Sequence, residues 1–425
     1  MQIKVAGGRI IDPAQNIDEI ADLYIVKGLI AGIGEEPEGF TADETIDATG
    51  QIVCPGLIDL SAHLREPGQT QKGNIASETA AAAAGGITML VSQPTTSPVV
   101  DSTAVAELVQ DRATDAGMAR VLPLGALTQG LAGEQLAPLH ALASSGCIGF
   151  TNARKPIDSS LVLLRALEYA ATHDLLVVFQ AQDRSLAAGG CMHDGTTATR
   201  LGLSGIPSAA ETIEVSRCLL LVEETGVRAH FGQLSSQQSI HLIDNARKRG
   251  LRVTADVAIH HLLLTDEQVD GFNALFHVIP PLRSQLDRAG LRQGLVTDTI
   301  EAICSDHQPQ DEISKQAPFA ATEPGISGFE TLLPLSLMLV EEKLLELPQL
   351  IEKLTVAPAR VLGIEAGTLE VGTAADVCVF DPEAVWKVTP QALRSQGKNT
   401  PFLNCDLKGQ VTATILDGRP VYRRA

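Results

Sequence analysis

The run Leu57-Ile58-Asp59-Leu60-Ser61-Ala62-His63 decides the fold. It is a short, mostly apolar segment that ends in the turn Leu64-Arg65-Glu66-Pro67-Gly68, so it reads as a buried strand rather than a core helix. Beyond the turn lies an alanine-rich stretch, which has helical character. The same unit recurs at 87–93, 120–127, 147–152, 175–182, 227–235, 251–258 and 301–306, each run followed by a polar turn and an Ala/Leu/Glu-rich stretch. Strands alternating with helices imply a parallel sheet. Eight such units predict an α/β fold of the (β/α)₈ TIM-type barrel, whose chemistry sits at the C-terminal ends of the strands.

Outside these units the pattern changes. Gly8-Arg9-Ile10-Ile11-Asp12-Pro13 and Leu23-Tyr24-Ile25-Val26-Lys27-Gly28 near the start are β-rich runs that stop at turn residues. So are Ala375-Asp376-Val377-Cys378-Val379-Phe380-Asp381-Pro382 and Val411-Thr412-Ala413-Thr414-Ile415-Leu416-Asp417-Gly418 near the end. A small β-sandwich domain assembled from both termini, 1–53 with 364–425, is expected to flank a barrel at 54–363.

Composition narrows the function. The 425 residues are 44% hydrophobic and 20% charged, enough for a large core. Lys and Arg total 32 against 51 Asp and Glu, a net charge of −19, which argues against binding a nucleic-acid backbone. No run reaches the length of a membrane span, and the first residues lack the apolar core of a signal peptide. The seven cysteines are scattered and contain no Cys-x-x-Cys, as in a cytoplasmic protein. Cys191 and His193, two apart, read as unrelated loop residues.

Several motifs stand in a fixed order. They are Asp59 with His63-Leu64-Arg65-Glu66-Pro67-Gly68, Gly85-Gly86-Ile87-Thr88, Gly125-Ala126-Leu127-Thr128, Pro280-Pro281-Leu282-Arg283, Ser305-Asp306-His307 and Gly325-Ile326-Ser327-Gly328-Phe329-Glu330-Thr331. Pro358-Ala359-Arg360, Ala375-Asp376 and Asn399-Thr400-Pro401-Phe402 follow. With them the chain resembles, end to end, the class I dihydroorotases of the amidohydrolase superfamily. The resemblance implies a zinc site with His-x-His on the first strand, a bridging carboxylate on the fourth, single histidines on the fifth and sixth, and an Asp on the eighth.

Those six positions are here Ser61, His63, Ala153, Gln180, Gln233 and Asp306, and only His63 and Asp306 are usual ligands. A catalytic zinc needs about three protein ligands and an open position, so no zinc and no other cofactor is expected. Lys155 reads as a solvent-facing lysine after Arg154, not a displaced bridging ligand. His230 faces away from Gln233 and reads as a hydrogen-bonded sheet residue. His260-His261 is a loop feature. We expect Asp306 to join Gln180 or Gln233 in an amide–carboxylate network. The positions that the resemblance assigns to substrate binding are Arg65, Thr95, Ile279 and Gln310, of which Arg65 alone keeps the family's residue; its expected partner is Glu66 or another acid.

Within the family, the chain is most similar to a non-catalytic branch. The resemblance implies a structural and assembly subunit of aspartate carbamoyltransferase in de novo pyrimidine biosynthesis. The implied partner is the catalytic chain of that enzyme, in a hetero-oligomer. The alternative is an active zinc cyclic amidohydrolase, a dihydroorotase with an unconventional metal site. A small-molecule sensor built around Arg65 is compatible with the first reading.

Overall fold

A computed structural model describes residues 1–424. Each of the eight apolar runs forms a parallel strand: Leu57–Ala62, Ile87–Ser92, Arg120–Ala126, Gly149–Thr151, Leu176–Phe179, Arg228–Phe231, Val253–Ala258 and Ala302–Cys304. They are buried almost throughout, as strands covered by helices must be. Register runs through pairs such as Val178 with His230 and His230 with Thr254. The seam between the eighth and first strands is closed by backbone bonds: His63 donates to the His307 carbonyl (2.8 Å) and His307 to that of Ser61 (3.2 Å).

Two apolar layers hold the barrel. One includes Leu90, Phe150, Val177, Phe231 and Val257 and packs against helix residues such as Leu163, Leu167, Ile243 and Leu291. The other includes Ile58, Met89, Leu124, Val178 and Ala302, which come from different strands and so lie between them, with Val361 and Leu362 of helix Val356–Leu362 against them.

The terminal runs join in one eight-stranded sheet. Its path is Arg419–Arg423, Asp406–Leu416, Val377–Lys387, Ile52–Pro55, Gln2–Asp12, Ile17–Val26 and Leu29–Ile33, with Glu44–Asp47 also paired to Gln2–Asp12. The first strand is longer than the sequence pattern suggests. It passes through Gly7-Gly8 as a bulge, where Gly7 takes a left-handed φ of 69° and a Cβ on Gly8 would lie 2.5 Å from Val53. Ile3, Ile10, Leu23, Val53, Val377 and Ile415 fill this β-sandwich domain, while Cys378, Phe380, Leu407 and Val411 pack with the barrel layer. Arg120 of the third barrel strand pairs with Asp376 and Asp417, a further tie between the units. Among the described residues no helix is long and apolar enough to cross a membrane.

Candidate functional site

The strand ends that form the barrel mouth share an unusual backbone. Arg65, Ala153, Gln233 and Asp306 all adopt left-handed φ, at 63°, 50°, 50° and 47°. That conformation costs a residue with a side chain on the order of 1 kcal/mol. Four such positions at one mouth mark a site whose backbone is over-determined by its surroundings.

The polar groups there satisfy one another. Gln180 Nε2 donates to Gln233 Oε1 at 2.6 Å, and both residues are buried. Arg154 Nη2 donates to the same oxygen at 3.3 Å. Ser61 Oγ donates to Asp306 Oδ1 (3.2 Å) and Gln308 Nε2 to Asp306 Oδ2 (3.0 Å). The expected amide pair is therefore present, but Asp306 is not in it. Its carboxylate is taken up by Ser61 and Gln308. Burial pushes the Asp306 carboxyl up, and Arg154 is the main influence holding it down.

Arg154 is a site residue that the sequence pattern does not single out. After Ala153 turns the chain with its left-handed φ, the Arg154 guanidinium enters the mouth, while Lys155 stays exposed. Burial lowers its pKa, and Asp306 is the main opposing influence. His63 Nδ1 lies 3.0 Å from Thr95 Oγ1, and burial, with Arg65 and Arg154 adding to it, drives the imidazole well below its ordinary pKa, so it is neutral at pH 7.

Arg65 does not pair with Glu66, whose carboxylate instead caps the Ile75 amide at 2.9 Å. Arg65 Nε donates to the Pro309 carbonyl at 3.0 Å, and its buried Nη2 has no partner. Burial pulls Arg65 down to about 10 against the fields of Glu323 and Asp306. Gln310 Nε2 donates to the Pro324 carbonyl (2.8 Å), and its backbone amide is held by Asn399 (2.8 Å). Ile279 packs against Ala187, Ile206 and Ala210, an apolar contact where the family's substrate would need a polar one.

His230 and His261 serve the framework. His230 bridges Thr254 Oγ1 (2.8 Å) and Asp256 Oδ2 (2.9 Å) within the sheet. His261 Nε2 reaches the Pro280 carbonyl (3.1 Å), and both ring nitrogens of buried His260 are unpartnered. His193 meets Arg283 Nη1 at 3.3 Å, and Cys191 its own Ser204 carbonyl, so the two share no ligand position.

Sequence reasoning missed Glu78, Asp256 and Gln308. Glu78 and Asp256 had a signal: each is the solitary acid of an apolar helix or strand.

This donor set does not fit a zinc ion. Ala153 offers no lone pair, Ser61 is engaged by Asp306, the Gln233 oxygen already accepts two hydrogen bonds, and the remaining carboxylate lies within the field of a guanidinium.

This barrel and β-sandwich architecture is shared with solved hydantoinases. L-hydantoinase (dihydropyrimidinase) from Arthrobacter aurescens superimposes with a TM-score of 0.88 at 25% identity, over 100% of this chain and 96% of that one. Residues 50–239 match the family described as dihydro-orotase-like, and residues 206–422 the amidohydrolase family. The chain belongs to the amidohydrolase family, among its dihydroorotase-like members. It is 52% identical over 418 residues to a dihydroorotase-like protein of Pseudomonas aeruginosa, covering 98% of this chain and 99% of the relative. It is 42% identical over 424 residues to a dihydroorotase of Geotalea daltonii, covering 100% of both.

Proposed function

We propose that the chain is a non-catalytic dihydroorotase homologue, a structural and assembly subunit for the catalytic chain of aspartate carbamoyltransferase in a cytoplasmic hetero-oligomer. One observation carries the loss of catalysis: four of the six ligand positions hold Ser61, Ala153, Gln180 and Gln233, and the three polar ones are hydrogen-bonded to their neighbours. Hydrolysis of a cyclic amide needs a water activated at neutral pH, and zinc does this by lowering the water's pKa. Nothing in the donor set replaces that. Of the groups at the old substrate position, Arg65 keeps its charge, while Ile279 belongs to an apolar cluster.

The partnership follows from the resemblance to the non-catalytic branch. Its physical support is that fold and site are separable: a barrel keeps its outer surface when its mouth changes. The test is to mix the purified chain with the aspartate carbamoyltransferase catalytic chain and separate by size exclusion. Co-elution is expected; two separate peaks at micromolar concentration contradict the assembly role. Metal analysis of the same preparation is expected to find well under one zinc per chain. Stoichiometric zinc together with dihydroorotate turnover would restore the reading as an active amidohydrolase.

A further inference from the structure

The group at the centre of the mouth is a cation that belongs to the chain itself. Arg154 reaches Gln233 Oε1 at 3.3 Å, and that oxygen also receives Gln180 at 2.6 Å, so strands four, five and six are joined at one acceptor. The Asp306 carboxylate of the eighth strand makes no ion pair with this guanidinium but lies within its field, and it is tied to Ser61 of the first strand (3.2 Å). The positions linked through or beside Arg154 are therefore the ones that a metal would bridge in the family. The left-handed Ala153 makes this possible by turning the next residue inward. Around the guanidinium, His63, His260 and His261 are buried or half-buried and each feels its charge.

We infer that Arg154 takes over the metal's structural work, holding the strand-end amides by its hydrogen bond to Gln233, acting on the Asp306 carboxylate through its field, and closing the position to a metal ion even when the ligands are put back. This rests on the non-catalytic reading above. The physical reason is charge. A divalent ion bound here would stand beside a guanidinium in a partly desolvated mouth, where like charges repel far more than in water. Arg154 could relieve this by leaving Gln233 for the groove beside it, which Lys155 also lines with positive charge. Missing ligands alone make no such demand, so the two explanations part in one experiment.

The experiment compares two full-length variants in zinc titrations against a chromophoric chelator. One carries Ser61→His, Ala153→Asp, Gln180→His and Gln233→His. The other carries the same four changes with Arg154→Met. The first is expected to bind zinc about 100-fold more weakly than the second, the scale of a nearby like charge under partial solvent screening. Equal affinities would overturn the inference while leaving the non-catalytic reading intact. Stoichiometric zinc in the unmodified chain, with Arg154 in place, would overturn both.

If the fourfold variants do not fold, a double-mutant cycle on the unmodified background decides. Arg154→Met and Asp306→Asn are measured singly and together by urea unfolding, with Arg154→Lys beside them. Strong coupling, with partial rescue by lysine, supports the role. Additive effects would overturn it, because a guanidinium that merely fills space does not depend on the charge of Asp306.

Discussion

Replacing Glu78 by glutamine is expected to destabilise the fold far more than its neutral shape suggests. Glu78 is fully buried in the first turn of helix Ile75–Ala84. Its Oε2 accepts from His307 Nε2 (2.9 Å) and Ser395 Oγ (2.6 Å), and its Oε1 from the Gln396 amide (3.0 Å) and Ser77 Oγ (2.7 Å). His307 cannot change its tautomer to adapt, because its Nδ1 already accepts the Gly328 amide at 3.1 Å and its ring is stacked on Phe329 at 3.8 Å. An amide puts an NH₂ against two donors in either orientation. The hydroxyls can rotate to accept, but the His307 N–H or the Gln396 amide is left unpaired. One orphaned buried donor plus the lost charge-assisted bonds amounts to about 3 kcal/mol. Glu78→Ala, which removes all four acceptor contacts and leaves a void, should cost about 5 kcal/mol. The pH dependence has a definite sign. Burial pushes the Glu78 carboxyl up, but the donors of His307, Ser395 and Ser77 more than offset it, and the net shift is downward. A depressed carboxyl stabilises the fold above its unfolded pKa and loses that contribution as pH falls through its folded value. The gap between wild type and Glu78→Gln should therefore be full at pH 7 and shrink below about pH 4. Urea unfolding followed by circular dichroism measures both quantities. A deficit under about 1 kcal/mol at pH 7 would refute the reasoning, since it would mean that the four contacts are not made together.

Three other outcomes are expected. Ala153→Asp alone should yield no dihydroorotate hydrolysis, because Ser61, Gln180 and Gln233 still fail as zinc ligands; measurable turnover by that single variant contradicts the account. Asp256→Ala should cost about 4 kcal/mol, since Asp256 accepts from His230 Nε2 (2.9 Å) and the Gln233 amide (2.6 Å) in a fully buried position; a loss within experimental error of zero in the urea midpoint argues against it. Burial raises the Glu330 carboxyl to about 7 against the amides of Arg394 and Ser395. A raised carboxyl stabilises the fold below its unfolded pKa and loses that contribution as pH rises through about 7. Glu330→Gln should therefore flatten the fall in stability between pH 5 and 8, and an unchanged slope across that range would show that Glu330 does not titrate there.

The eight strands were legible because parallel strands buried on both faces read as continuous apolar runs. The groups at their ends were legible only by position. Gln180 and Gln233 are adjacent amides in the structure as the strand order requires, yet the partner of Asp306 was misread. Two polar groups on different strands meet only if the backbone turns each inward, and the left-handed φ of Ala153, Gln233 and Asp306 has no local signature in the sequence. Arg154 shows the cost of that gap. Nothing in the sequence singles it out, and the turn at Ala153 sends it into the mouth. Glu78 lies beyond local reading for another reason: His307 and Ser395, its partners, are 229 and 317 residues away in the chain.

Outside His63, Arg65 and Asp306, several residues of the motifs that carry the family resemblance are framework. Asp59 accepts the Ser305 amide (2.7 Å) and hydroxyl (2.6 Å), joining the first and eighth strands. Arg283 donates to the Ile206 carbonyl (2.6 Å) and Ser235 Oγ (3.1 Å) and so pins the segment after the seventh strand to those after the fifth and sixth. Asn399 ties the chain after the eighth strand through the Gln308 and Gly325 carbonyls, each at 2.9 Å. Asp376 joins the two units through Arg120. None of these bonds depends on a metal or a substrate. Each draws together segments far apart in sequence, which is what a fixed outer surface requires. The strand-end residues differ in kind: their side chains could change as long as the mouth stayed satisfied, and the Gln180–Gln233 amide pair, Ser61 on Asp306 and the Arg154 guanidinium satisfy it. A mouth closed by its own side chains still leaves the surface of the barrel in place, and the proposed assembly role would depend on that surface.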